Sequence, residues 1–446
     1  MLIVILLVAI AFIVISTSKW KLHPFLALLI AAYGIAFSVG MKYADIAKTI
    51  TQGFGGILAY IGIVIVLGTI IGVILERSGA AIQMANAVLK VVGKKRPVLA
   101  MSIIGYIVSI PVFCDSGFVI LNALKRSMVK QLKVSGVAMS VALATGLYAT
   151  HTLVPPTPGP IAAAGNLGVT NLGMVIVVGL FVAFFTMMAG YYWAIKRGSL
   201  YKSGEDLDID LAQDGDVQAK YGTLPSTFKS FAPIFIPVLL MGIESVVKLV
   251  FKDSSETFLY KFFVFLGHPA NALFIGVLFA SLLLPKWNEE TLSGWVGEGV
   301  KNSGEILIIT GAGGALGAVL KASGIGDYLG TTLQTLNLGI FVPFIIAAAL
   351  KTAQGSSTTS LVVTSTIMAP LLATLGLDSE MGRVLCVMAI GAGAMTVSHA
   401  NDSFFWVVSR FSQMDVPTSY KAFTTATLVQ GLVTIVVVAI LSVILL

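Results

Sequence analysis

From Val397 to Trp406 the chain reads Val-Ser-His-Ala-Asn-Asp-Ser-Phe-Phe-Trp, so an imidazole, an amide, a carboxylate and two hydroxyls fall between Ser398 and Ser403. The sequence around them is apolar enough to lie at bilayer depth. Polar groups are expensive there and are kept to bind ligands or ions or to relay protons. A second polar run, Thr150-His151-Thr152, leads into Val154-Pro155-Pro156-Thr157-Pro158-Gly159-Pro160. Proline cannot donate the helical hydrogen bond, so a helix arriving at this stretch must break. Carboxylate and imidazole groups can exchange protons near neutral pH when their neighbours tune them. Hydroxyls and amides can both donate to and accept from a polar ligand. Two such stretches, one in each half, suggest a membrane transporter built in two halves.

The elements that must position these groups are membrane helices. The chain is 57% hydrophobic and 11% charged, with a mean hydropathy of +0.95; a soluble domain carries roughly twice that charge. Apolar runs over Met1–Thr17, Ile57–Leu75, Leu172–Ile195, Phe231–Phe251, Phe262–Leu284 and Thr425–Leu446 are long enough to cross hydrocarbon. The first lacks a basic leader and a cleavage site and is followed by Lys19-Trp20-Lys21, so it reads as a retained span. The net charge of +7 fits the Lys and Arg that membrane proteins gather on the cytoplasmic side, and no nucleic-acid partner is expected. Cys114 and Cys386 fall in apolar segments with no metal-ligand spacing, so neither metal nor cofactor is expected.

Basic residues set the expected topology. Lys19 and Lys21, then Arg77, Lys90, Lys94, Lys95 and Arg96, belong in the cytoplasm, which puts the N-terminus outside. Lys196 and Arg197 close the first half on the cytoplasmic side. Between them, Lys125, Arg126, Lys130 and Lys133 return the chain to the cytoplasm after about 30 residues, where two crossings need about 40. A re-entrant hairpin over about 97–133 fits better, with its tip near Pro111 to Gly117.

The second half repeats the plan. Gly72 to Gly79 (Gly-Val-Ile-Leu-Glu-Arg-Ser-Gly) is echoed by Gly317 to Gly324 (Gly-Ala-Val-Leu-Lys-Ala-Ser-Gly) at an offset of 245, and His151 and His399 are 248 apart. Lys351-Thr352-Ala353-Gln354-Gly355-Ser356-Ser357-Thr358-Thr359 stands where the first half has Asp115-Ser116-Gly117. Ordered echoes of this kind predict an all-α polytopic protein of two inverted repeats, each with about five transmembrane helices and one re-entrant hairpin. The expected division is 1–197, a cytoplasmic linker over 198–229, and 230–446 with an outward-side hairpin over about 338–376. The acidic linker reads as solvated chain.

Several motifs resemble the gluconate:H+ symporter, or GntP-type, permeases of the ion transporter superfamily. They are His23-Pro24-Phe25-Leu26-Ala27-Leu28-Leu29, Phe113 to Ile120, His151 to Gly165, Lys351 to Thr358 with its Gln-Gly-Ser-Ser core, Ser398 to Trp406, and Asp415-Val416-Pro417-Thr418. The similarity spans nearly the whole chain and departs at one motif: family members often read Val-Pro-Pro-His-Pro, and this chain has Thr157 in fourth place. The resemblance implies a secondary transporter that imports gluconate or a related hydroxylated monocarboxylate. It would be a homodimer in the bacterial inner membrane, with both termini outside. D-serine and glycerate permeases of the same family and a sodium-coupled carboxylate transporter are the alternatives; a channel or an intramembrane hydrolase fits less well.

In such folds the hairpin tips and broken helices meet near the midplane and present helix N-termini that suit a carboxylate. The expected substrate-binding groups are Ser116, Thr150, His151, Thr152, Thr157, Gln354, Ser356, Ser357, Thr358, Ser398, His399, Asn401 and Ser403. Ser and Thr in membrane helices also bond back to their own helix or join neighbours, which accounts for about half of these. Asp115, Asp402, His151 and His399 are the candidates for carrying a coupling proton. Lys351 is basic on a hairpin leg at depth, and three roles fit it: pairing with a carboxylate, contacting the substrate anion, or snorkelling to the surface. His23 and His268, each followed by proline, read as interfacial.

Overall fold

The computed structural model describes residues 2–93, 95–206, 222–251, 257–323, 338–400 and 402–446. Among them every regular element is helical. The first half contains α1 (Leu2–Ser18), α2 (Pro24–Ser38), α3 (Tyr43–Arg77), α4 (Ala80–Val92), α5 (Pro97–Val108), α6 (Cys114–Leu132), α7 (Gly136–Leu153), α8 (Pro158–Asn166) and α9 (Leu172–Lys196). The second contains α10 (Thr227–Val250), α11 (Phe258–Gly267), α12 (Pro269–Ser281), α13 (Val296–Ala322), α14 (Phe341–Gln354), α15 (Ser357–Met368), α16 (Glu380–Met395), α17 (Ser403–Phe411) and α18 (Thr425–Leu445). Five helical stretches are long and apolar enough to cross a membrane, and seven if each of two bent pairs counts as one crossing. The protein is a multi-pass membrane protein; α2, α4, α5 and most of α14 are apolar but shorter.

Two features recur along the chain among the described residues. α5 and α6 form a helical hairpin, and so do α14 and α15. α7 stops at Leu153 and resumes as α8 at Pro158, while α16 stops at Met395 and resumes as α17 at Ser403. Packing follows the same pairing: α5 lies on α7 and α14 on α16, α7 on α9 and α16 on α18. The second hairpin legs cross over, with α6 against α17 and α15 against α8. Each hairpin thus rests on its own half through its first leg and reaches the opposite half through its second.

The two His-Pro pairs read as interfacial each stand at the start of a helix. His23 precedes Pro24 at the start of α2, and His268 precedes Pro269 at the start of α12. Proline at the first helical position costs no hydrogen bond and presets φ. The histidines at 151 and 399 do not match in the same way: His151 is in the last turn of α7, and His399 is in the unwound stretch before α17.

Close helix approach needs small residues. A Cβ added to Gly105 of α5 would lie 2.6 Å from Leu143 O of α7, so only glycine lets these backbones meet. At the junction after α9 the chain does not leave at once. Residues 198–200 and 204–206 form single helical turns, and Gly204 N–H donates to Gln413 O at 3.0 Å. Glu205, its side chain 2% exposed, meets Lys125 Nζ at 2.9 Å and Arg126 Nε at 3.0 Å. Asp206 accepts from Gly136 N at 2.7 Å, at the start of α7. The linker was expected to be solvated chain, and its first residues are instead docked under the hairpin. A buried lysine requires a counter-charge, and Glu205 is that charge.

Candidate functional site

Three helices line a cavity of about 530 Å³. Phe113, Asp115 and Ser116 come from the start of α6, and Ser356, Thr358, Thr359 and Val362 from the start of α15. Lys301, Asn302, Glu305, Ile306 and Ile309 come from one face of α13. Both hairpins therefore turn their first helical N–H groups and hydroxyls toward one space. Ser356 caps α15, accepting from Thr359 N at 3.2 Å, and Thr359 Oγ1 lies 3.0 Å from the same oxygen. Asp115 accepts from Ser403 Oγ at 3.3 Å, which ties the first hairpin to the first turn of α17.

The expected site residues do not all meet in this cavity. Asp115, Ser116, Ser356 and Thr358 are together in the cavity, with Ser403 attached through Asp115. Thr150 donates to Tyr106 O at 2.9 Å, Thr152 to Tyr148 O at 3.0 Å and Thr157 to Val154 O at 2.5 Å, so their hydroxyls serve backbone carbonyls. Ser357 is buried at the start of α15. His399 Nε2 lies 2.9 Å from Thr352 O, a bond that needs its Nε2–H form. Asn401 and the side chain of Gln354 lie outside the described residues.

His151 is buried against two rings, Tyr148 at 6.4 Å and Phe113 at 5.8 Å between centroids. Its Nδ1 has no hydrogen-bond partner among the described residues. Phe113 also lines the cavity, so its ring stands between that space and the imidazole.

Asp402 and Lys351 form a second centre. Lys351 Nζ donates to Asp402 Oδ2 at 2.6 Å and to Gly355 O, and lies 5.7 Å from the centre of the Tyr148 ring. Ser398 Oγ donates to the same carboxylate oxygen, and Phe404 N–H donates to Oδ1 at 3.1 Å. Lys351 is 0% exposed, so of the three roles open to it the structure assigns pairing and rules out snorkelling. Each charge also suits its helix end. Lys351 is in the last turn of α14, where the dipole is negative, and Asp402 caps α17, where it is positive. Gly355, at φ +88°, ends α14 in the left-handed conformation that glycine adopts without cost. Val397, at φ +56°, occupies the same region with a β-branched side chain, so the unwound stretch holds backbone strain.

Lys301, Asn302 and Glu305 escaped the sequence reading. Their signal was present: α13 opens Val-Gly-Glu-Gly-Val-Lys-Asn-Ser-Gly-Glu, which is polar for a helix in this chain. No interruption marks it, so it stands out less than the broken helices do.

Residues 1–444 match the model of the GntP family permeases. The chain belongs to the GntP permease family. It is 38% identical over 419 residues to a permease of Haemophilus influenzae, covering 91% of this chain and 84% of that one. A gluconate permease of Pseudomonas aeruginosa is 30% identical over 446 residues, covering 98% and 97%. A D-serine transporter of Escherichia coli is 31% identical over 433 residues, covering 96% and 95%. Among solved structures, the YdaH transporter of Alcanivorax borkumensis superimposes with a TM-score of 0.70 at 14% identity, over 95% of this chain and 99% of the other. MtrF of Neisseria gonorrhoeae gives 0.69 at 15% identity, over 96% of both. This GntP permease therefore has a transporter fold with known examples outside its close relatives.

Proposed function

We propose that this GntP permease imports gluconate or a related small hydroxylated monocarboxylate across the bacterial inner membrane by proton symport. The cavity between the starts of α6 and α15 carries the reading. Paired helix N-termini suit a carboxylate, and the hydroxyls of Ser116, Ser356, Thr358 and Thr359 suit a polyhydroxylated chain. Lys301 adds a positive charge at the rim. The gluconate permeases among its near full-length relatives support the same substrate class.

Asp115 is the leading proton carrier. It lines the cavity, and Ser403 Oγ and Cys114 Sγ, which donate to its carboxylate, are both uncharged. The α5–α6 hairpin enters and leaves from the cytoplasm, the α14–α15 hairpin enters and leaves from outside, and both termini are outside. The halves are then inverted repeats, and the working unit is a homodimer.

A second reading has an observation of its own. Glu305 faces the same cavity as Lys301, a pair of opposite charges that could read the zwitterion of D-serine, which a relative carries. Uptake of labelled gluconate into proteoliposomes, competed by gluconate, glycerate and D-serine, tests both. Uptake of labelled D-serine with no uptake of labelled gluconate overturns the sugar-acid assignment. Accumulation should collapse with a proton ionophore in sodium-free buffer, and strict dependence on added sodium would refute symport with protons. Single cysteines replacing Lys130 and Leu338 should label from opposite faces; labelling from one face contradicts the inverted arrangement.

A further inference from the structure

Lys351 is more than a neutralised charge, because of where its ammonium sits. It occupies the gap between the tip of the second hairpin and the unwound stretch before α17, facing a backbone carbonyl, a carboxylate and an aromatic ring. Carbonyl and carboxylate oxygens at interrupted helices are the donor set that transporters use for a free monovalent cation. The ring adds attraction for positive charge. Lys351 does not line the substrate cavity and is fully buried, so contact with the substrate does not account for its place. At the same offset of 245 that relates Gly72 to Gly317, the first half has Tyr106 and Thr157 in place of Lys351 and Asp402. Both are neutral and satisfied by backbone: Tyr106 OH donates to Leu180 O at 2.7 Å, and Thr157 to Val154 O.

We infer that Lys351 is a tethered replacement for a free monovalent cation, filling a cation site between the second hairpin and the second helix break so that this half closes without binding an ion. The inference deepens the proton-symport reading and rests on it for its role in transport, but the site itself can be tested without any substrate.

Lys351→Ala removes the ammonium and leaves the oxygens around a space of its size. Purified Lys351→Ala should unfold at a lower temperature in choline chloride, and saturably regain stability in ammonium or sodium chloride. Wild type should show no such difference between salts. Lys351→Ala with Asp402→Asn removes both charges and should fold without responding to the cation. A single variant that folds yet ignores small cations overturns the inference, as does one that stays unfolded in every salt while the double variant folds. Failure of both variants to fold in any salt shows a structural pair unable to host a free ion, and the inference falls again. A wild-type response equal to the variant's also sinks it, because the site would not then be filled. Because the readout is thermal, an error in the assigned substrate or in proton coupling leaves these outcomes unchanged. Proton-driven uptake by wild type alongside a cation-indifferent Lys351→Ala would refute the inference alone.

Discussion

The break between α7 and α8 and the break between α16 and α17 hold matching places in the chain, yet one is closed by neutral groups and the other by charge. In the first, prolines 155, 156, 158 and 160 enforce the interruption, and Thr157 settles its hydroxyl on Val154 O four residues into the gap. In the second, residues 396–402 contain no proline; Asp402, Ser398 and Lys351 hold the stretch by an ion pair and hydrogen bonds. A break made by proline persists whatever the surroundings, because the missing N–H is covalent. A break made by a buried ion pair depends on both partners staying charged and in place. The first break is therefore fixed by covalent structure, and the second is held by interactions that a change of charge would alter.

The largest expected effect tests that dependence. Asp402→Asn leaves Lys351 buried without its counter-charge and should cost about 3–5 kcal/mol, against about 0.5–1.5 kcal/mol for Thr157→Val in the first break. Thermal unfolding of both variants in detergent measures the difference. Equal losses would erase the contrast between the breaks.

Next comes the division of labour between the two carboxylates. Asp115→Asn should leave stability near that of wild type while gradient-driven accumulation falls to the equilibrium level and substrate exchange persists. Concentrative uptake by folded Asp115→Asn would move the proton to the histidines or to Asp402. Smaller still, Ser116→Ala and Thr358→Ala each remove one cavity hydroxyl and should raise KM by about two- to tenfold, the worth of a hydrogen bond of ~0.5–1.5 kcal/mol. Unchanged KM in both variants would place the substrate elsewhere.

Asp415 offers the baseline of an exposed carboxylate. Its hydrogen bonds to the Thr418 hydroxyl and backbone N–H hold its carboxyl below the usual carboxylate range. A lowered value in the folded state stabilises above the ordinary carboxylate pKa, and the benefit is lost as pH falls through the lowered one. Asp415→Asn should therefore cost a little stability at neutral pH and nothing in strong acid, as read by thermal unfolding. A cost that persists in acid would show that the charge is not its source.

Much of this was legible beforehand because polarity inside an apolar chain is conspicuous. The proline run placed the first break within a residue or two, and the polar run from Ser398 placed the second. Hairpin legs followed from the spacing of basic residues against the length of a crossing. Partnership was harder to see. Pairing with a carboxylate was one of three roles open to Lys351, but nothing in the sequence picks out Asp402, 51 residues downstream on another element, as that carboxylate. The matching of His151 with His399 rested on spacing alone, and a three-residue difference between the halves is enough to put one in a helix and the other in a gap. Glu205 read as one of many linker acids, since nothing local distinguishes an acid that finds a buried lysine from one that remains in water.

The Lys125 cluster carries a consequence for how the protein is made. Lys125 emerges from the ribosome 80 residues before Glu205, and Ser412, which accepts from the same ammonium at 3.3 Å, follows 287 residues behind it. Until the linker is synthesised, the first hairpin lacks Glu205 beside its Lys125 ammonium, and it has reason to stay at the water interface. Seating of that hairpin is thereby timed to the completion of the first half, and its final closure to the arrival of the second. Severing the chain between the halves should give two fragments that assemble only when Glu205 remains attached to the first.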